Sequence, residues 1–236
     1  KDHAQAIKWY RKAAQSGNAE GQFRLGMNYN EGKGVPRNDA EAFKWYKKSA
    51  EQGLSKAQFN LASLYYSGEG VTRSYATAAK WYRKAALQGL VLAQTSMGHM
   101  FESGRGVAQS YKEAANWFRM AAKQGNAASQ YNLGNLYAQG KGVAKDEYKA
   151  AQLYRKAAVQ GQYNAQFNLG VMYAQGEGVA PNPITALMWL NIAAVSGNKR
   201  ALRTRNFVAK TLTAAQVAEA KELATKCVLS KYSICR

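Results

Sequence analysis

Ala78–Gly89 reads AAKWYRKAALQG, and versions of this stretch recur along the chain. Trp9, Trp45, Trp81, Trp117 and Trp189 are spaced by 36 residues or a multiple of it, with Leu153 in the slot that lacks tryptophan. The same spacing sets glycine at Gly17, Gly53, Gly89, Gly125, Gly161 and Gly197. A fixed period of this length predicts stacked copies of one small unit, each covering its neighbours, instead of one closed globule.

Within a copy the tryptophan lies on a helix, here called B. Its start falls at Asp2, Asn38, Ser74, Ser110, Asp146 and Asn182, all residues whose side chains accept a backbone N–H at a helix start. Ser110 and Glu113 have the spacing of a capping box, and Pro183 suits a first helical position. Ala78, Trp81, Tyr82, Ala85 and Ala86 follow the i, i+3, i+4, i+7, i+8 pattern of a helix buried on one side. The glycine column then supplies a left-handed stop. A second helix, A, precedes B and reads GQFRLGMNY from Gly21, AQFNLASLY from Ala57, AQTSMGHMF from Ala93, SQYNLGNLY from Ser129 and AQFNLGVMY from Ala165. The small residues Gly26, Ala62, Gly98, Gly134 and Gly170 allow close helix contact, offsetting the roughly 1 kcal/mol that a helical glycine costs against alanine. GKGV, GEGV or GRGV joins A to B, with two glycines for a tight turn and a valine directed at the core.

The run AQFNLGVMYAQGEGV followed by a helix like KWYRKAALQG resembles the Sel1-like repeat, a relative of the tetratricopeptide repeat. The resemblance covers Asp2 to Gly197, with Ala62, Phe101 and Leu153 as local departures. It implies an all-α, superhelical α/α solenoid of 36-residue helix–turn–helix repeats, with the A helices lining a concave face. The chain divides on this reading into a repeat solenoid over 1–197, with one leading B helix and five A–B pairs, and a C-terminal capping segment over 198–236. The chain opens on a B helix without its A helix, which predicts further repeat sequence or another cap upstream of Lys1. At the other end 199–210 reads as a helix. Thr213 and Gln216 form a capping box ahead of a stripe of Val217, Ala220, Leu223, Ala224, Cys227 and Val228. Met188 and Ile192 replace the Lys of earlier B helices, so the last helix is expected to cover that newly apolar face.

Cys227 and Cys235 are the only cysteines. Two unrelated thiols and a short-loop disulfide are both open readings. The disulfide is favoured by the likeness of the tail to the ends of exported bacterial proteins of this family, which also points to a periplasmic or secreted location with the export signal outside this chain. No apolar run approaches the ~20 residues of a membrane span.

No nucleophile elbow, HExxH or Walker loop is present, so no catalytic residue, metal site or cofactor is assigned. The cysteine-rich relatives associated with β-lactams carry paired cysteines inside each repeat, which this chain lacks. The family resemblance implies instead a protein–protein interaction scaffold, active as a monomer. By analogy with tetratricopeptide packing, its concave face presents Phe23, Arg24, Met27, Phe59, Asn60, Ser63, Tyr66, Ser96, His99, Tyr131, Asn132, Asn135, Phe167 and Asn168. Aromatic area and asparagine amides together suit an extended peptide. The opposing reading is that the aromatics pack between helices and the asparagines brace loops. The net charge of +19 favours an acidic partner. A second possibility is that the basic ridge on helix B (Lys44, Lys47, Lys80, Arg83 and their equivalents) holds an anionic polymer, glycan or lipid. Nucleic acid binding would then be nonspecific, because no reading module is present.

Overall fold

A computed structural model describes residues 3–195, 197 and 199–235, with the side chains of His3 and Ala4 excepted. Among the described residues there are thirteen helices and no strand. The chain forms two compact units, Lys1–Trp117 and Phe118–Arg236. The first holds α1 (His3–Gln15), α2 (Ala19–Glu31), α3 (Asp39–Glu51), α4 (Ser55–Ser67), α5 (Tyr75–Leu87) and α6 (Val91–Ser103). The second holds α8 (Ala127–Gln139), α9 (Glu147–Ala158), α10 (Tyr163–Gln175), α11 (Pro183–Ala194), α12 (Lys199–Ala209) and α13 (Ala214–Leu229). The division falls inside α7 (Tyr111–Lys123). In each unit consecutive helices of the repeats pack on one another, as in an α/α solenoid, while at the C-terminal end α12 and α13 both pack on α11.

The helix starts follow the sequence reading. Asn38, Ser74, Ser110, Asp146 and Asn182 each accept the N–H three residues on. Asp2 lies outside the described residues. The expected box at Ser110 does not close, because the Ser110 N–H donates to the carbonyl of Phe101. The equivalent N–H of every later or earlier copy does the same, to Tyr29, Tyr65, Tyr137 and Tyr173, so one bond fixes how each A helix hands over to its B helix. The box at Thr213 and Gln216 does close.

The tryptophan column is not uniformly core. Trp117 and Trp189 are buried, Trp45 and Trp81 are half-buried, and Trp9 is 65% exposed. The uniformly buried positions of helix B are the alanines and the tyrosine beside the tryptophan: Ala78, Ala79, Tyr82, Ala85 and Ala86 in α5, and Ala150, Ala151, Tyr154, Ala157 and Ala158 in α9. The tryptophan flanks that stripe. On α3 and α5 its outer face carries a lysine, with Lys48 Nζ 4.6 Å from the Trp45 ring centre and Lys84 Nζ 4.1 Å from that of Trp81.

At the C-terminal end α11 is buried nearly all round, with Met188, Trp189 and Ile192 in one cluster and Leu187 and Leu190 in another. Both α12 and α13 pack on it. Ala220, Ala224 and Cys227 are the buried side of α13, whereas Leu223 and Val228 of the expected stripe are exposed. Cys227 and Cys235 are joined in a disulfide with their Cα atoms 5.2 Å apart, closing the tail onto α13.

Two glycines show what the turns require. Gly53 ends α3 at φ 95°, with nothing within 4 Å of where a Cβ would stand. Gly106, the second glycine of GRGV, has φ 73° and lies directly on the first turn of α5, where a Cβ would run into the Tyr75 carbonyl. Gly53→Ala therefore adds left-handed strain of about 1–2 kcal/mol, while Gly106→Ala adds that strain and a backbone displacement. Circular dichroism melts are expected to place Gly106→Ala well below Gly53→Ala, and the reverse order would mean that the turn yields without cost.

Candidate functional site

Three tyrosines of the B helices organise the face that the A helices present. Tyr46, Tyr82 and Tyr154 are buried, and each ring lies against an A helix at its small residue. A Cβ on Gly26 would stand 2.8 Å from Tyr46 Cδ1, and one on Gly134 would stand 2.7 Å from Tyr154 Cε1. With the ring seated in that notch, the hydroxyl emerges among the polar side chains of two A helices. Tyr154 donates to Asn135 Oδ1 at 2.7 Å, and Asn168 Nδ2 donates to the same oxygen at 3.3 Å. Ser63 Oγ lies 3.0 Å from the Tyr82 hydroxyl, which Ser96 reaches from the next A helix. Burial pushes the Tyr46 and Tyr154 phenols up to about 12, and it raises Tyr82 in the same direction.

Asn135, held by Asn168, thus braces the core Tyr154, and the aromatic column packs on the tyrosines. Ring centres are 5.9 Å apart for Phe23 and Tyr46, 5.4 Å for Phe59 and Tyr82, and 6.0 Å for Tyr131 and Tyr154. Phe23 is only 5% exposed and Phe167 8%, which corrects the expectation that they line an open groove. Phe167 is covered by the Arg200 guanidinium, 4.9 Å from its centre, and by Leu187 and Leu190. Phe59, Tyr131, Met27 and Asn132 are half-buried. Tyr66 belongs to a turn cluster: it accepts from Arg105 Nη1 at 2.6 Å and meets Tyr75 edge-on at 5.0 Å. Arg24 is exposed and ion-paired with Glu20 at 2.7 Å. His99 is exposed, with Nδ1 3.4 Å from a Glu102 carboxylate oxygen.

A second polar system escaped the sequence reading. Gln22, Gln58, Gln94, Gln130 and Gln166 sit in the first turn of the A helices and are buried. Each donates Nε2 to a carbonyl at the end of the preceding B helix, Ala14, Ala50, Ala86, Ala122 and Ala158 in turn. Their own oxygens accept from the glutamine after the next B helix, Gln52 to Gln22 at 2.7 Å, Gln88 to Gln58 at 2.8 Å and Gln160 to Gln130 at 2.8 Å. The signal was in the sequence as a glutamine column with the same period as the tryptophans.

The model of the Sel1 repeat matches residues 1–18, 19–54, 55–90, 91–126, 127–162 and 164–198. The chain belongs to the Sel1-repeat family. Among solved Sel1-repeat structures, it is 36% identical to c5321, a protective antigen of uropathogenic Escherichia coli strains displaying an SLR fold, with a TM-score of 0.88 over 100% of this chain. The chain spans about half of that protein, 51% of its length. A Sel1 repeat protein from Oxalobacter formigenes is 35% identical, with a TM-score of 0.78 over 95% of this chain and 94% of its own. No curated protein matches the chain. The Sel1 period ends where α12 begins, so the glutamine and tyrosine systems belong to the repeats and the disulfide does not.

The raised phenols set a sign for alkaline stability. Their folded values, about 12 for Tyr46 and Tyr154, lie above the ordinary 10. The unfolded chain therefore releases protons first, and stability present below pH 10 falls as pH rises toward 12. Urea titrations from pH 9 to 12 are expected to show that fall, with a shallower slope in Tyr154→Phe; an equal slope would remove the buried hydroxyl as its source.

Proposed function

We propose that this chain is a non-enzymatic interaction scaffold whose A-helix face takes an extended segment of an acidic partner protein. The observation that carries the reading is the commitment of Asn135. Its oxygen accepts from Tyr154 and Asn168, which fixes the amide, and on this reading its N–H groups are the donors that a partner meets. Fixed donors bind a peptide carbonyl with little further loss of side-chain freedom. Bracing and binding are therefore compatible uses of one asparagine. Arg24 and His99 supply exposed polar contacts on the same set of helices. On this reading residues 1–197 carry the interaction, 198–236 closes the repeat array, and the scaffold acts as a monomer. The disulfide fits a periplasmic or secreted protein, since such bonds persist in oxidising compartments. Among the described residues no helix is long and apolar enough to cross a membrane.

The lysines held over Trp45 and Trp81 favour a second reading, attachment of the outer B-helix ridge to an anionic polymer. One experiment separates the two. Peptides enriched from a random library on the wild-type chain are measured against Asn135→Asp, which keeps the acceptor for Tyr154 but replaces the amide donors, and against Lys44→Glu/Lys80→Glu. The groove reading expects at least tenfold weaker binding by Asn135→Asp at unchanged melting temperature, with the ridge variant little affected. Absence of enriched peptides, or binding indifferent to Asn135→Asp and abolished by ridge reversal and modest salt, would overturn it.

A further inference from the structure

The second unit contains a cleft that neither the repeats nor the A-helix face accounts for. Helices α12 and α13 each pack on α11 and leave between them a groove of about 610 Å³. Its floor is a stripe of α11, Leu187, Asn191 and Ile192, with Val195 just beyond the helix end. One wall is the end of α12, with Ala209 behind Arg205 and Asn206. The other runs down α13 through Val217, Ala224 and Val228, spaced by seven and four residues, so it spans three helical turns. The small side chains of Ala209 and Ala224 are what leave the groove unfilled. At its rim Val195 is 85% exposed and Leu229 78%, a degree of apolar exposure that a solvated helix end does not need.

The charges around it are of one sign. Among the described residues Arg205 and Lys221 line the cleft and no carboxylate does. Arg205 donates Nε and Nη2 to the neutral amide oxygen of Asn206, at 3.1 and 2.8 Å. The acid nearest in sequence to Lys221, Glu222, is paired with Lys226 at 2.6 Å, and neither of that pair lines the cleft.

We propose that this cleft is a docking groove for an amphipathic acidic helix of a partner protein. Two walls and a floor of helix, open along their length, make a bundle lacking one member. An entering helix with apolar residues at i, i+3, i+4 and i+7 lays them on the α11 stripe and between the walls. Its flanking Glu or Asp side chains meet Arg205 on one wall and Lys221 on the other. A single acyl chain fits the apolar floor less well, because a groove open along its side leaves much of such a ligand in water, whereas small-molecule sites bury most of theirs. The groove lies apart from Asn135, and Asn135→Asp is expected to leave it unchanged.

The test uses three fluorescent 18-residue peptides with the full chain. One carries Leu at helical i, i+3, i+4, i+7 spacing with Glu elsewhere. The second keeps its composition with the leucines scrambled, and the third replaces Glu by Lys. The first is expected to bind at least tenfold more tightly than the others. Its binding should fall at least tenfold in Val195→Glu and in Arg205→Glu/Lys221→Glu, and the charge-reversed variant should gain affinity for the Lys peptide. Val195 is exposed, so its substitution leaves folding intact, which the melting temperature checks. Equal binding of ordered and scrambled peptides would show only attraction to the +19 charge and overturn the proposal. So would affinity unchanged in the variants, or laurate binding in the cleft where the ordered peptide fails.

Discussion

The repeats depend on a large side chain of one helix lying on a small residue of another, a tyrosine ring on Gly26 and Gly134 and Leu190 on Gly170. The notch at Gly26 or Gly134 admits the ring because a Cβ there would collide with it. Seating the ring brings a hydroxyl to the junction of two A helices, and a buried hydroxyl without a partner costs about 1–3 kcal/mol. Asn135 supplies that partner to Tyr154, and Ser63 to Tyr82. One contact thus couples a glycine, a tyrosine and two polar positions on separate helices. It explains why positions that look free to vary on a surface repeat so regularly. Repeat 2 shows the tolerance of the arrangement: Ala62 stands in the glycine column, and Tyr82 is the most exposed of the three rings, at 6% against 1% for Tyr46 and 3% for Tyr154.

The second recurring constraint is electrostatic and concerns helix ends. The last carbonyls of each B helix have no partner inside the helix. The buried glutamine of the following A helix caps one of them, and the glutamine at the end of its own repeat satisfies the oxygen left over. Each repeat therefore completes a hydrogen bond for its predecessor, which makes neighbour packing directional as well as apolar. Positive charge is left to the outer face, where Lys48 and Lys84 cover the tryptophans without entering the core.

Much of the fold was legible in the residues, because periodicity reports burial and capping directly. The helix starts at Asn38, Ser74, Asp146 and Asn182, the glycine stops and the closing helix over α11 follow from local rules, whereas the joining of the cysteines was one of two open readings, favoured by the family likeness of the tail. The tryptophans misled because a large conserved-looking aromatic in a column reads as core, whereas a flanking position can be half-buried with a lysine stem over it. The aromatic column of the A helices misled for a related reason. Phe23 and Phe167 lie on the side of the helix that spacing assigns to a groove, yet Tyr46 in one case and Arg200 in the other occupy the space beside them. Sequence spacing gives the face of a helix but not what stands opposite it. The cleft beside α11 was invisible for the same reason, since Leu223 and Val228 have the pattern of buried residues while α12 stands away from them.

The most direct measurement is a double-mutant cycle between Gly134 and Tyr154, read by urea denaturation. If the ring in the notch governs this packing, Gly134→Ala destabilises the wild-type chain. In a Tyr154→Ala background the same change then stabilises, by up to about 1 kcal/mol of helix propensity. An equal effect of Gly134→Ala in both backgrounds would contradict the coupling of glycine, tyrosine and amide on which the description of these repeats rests.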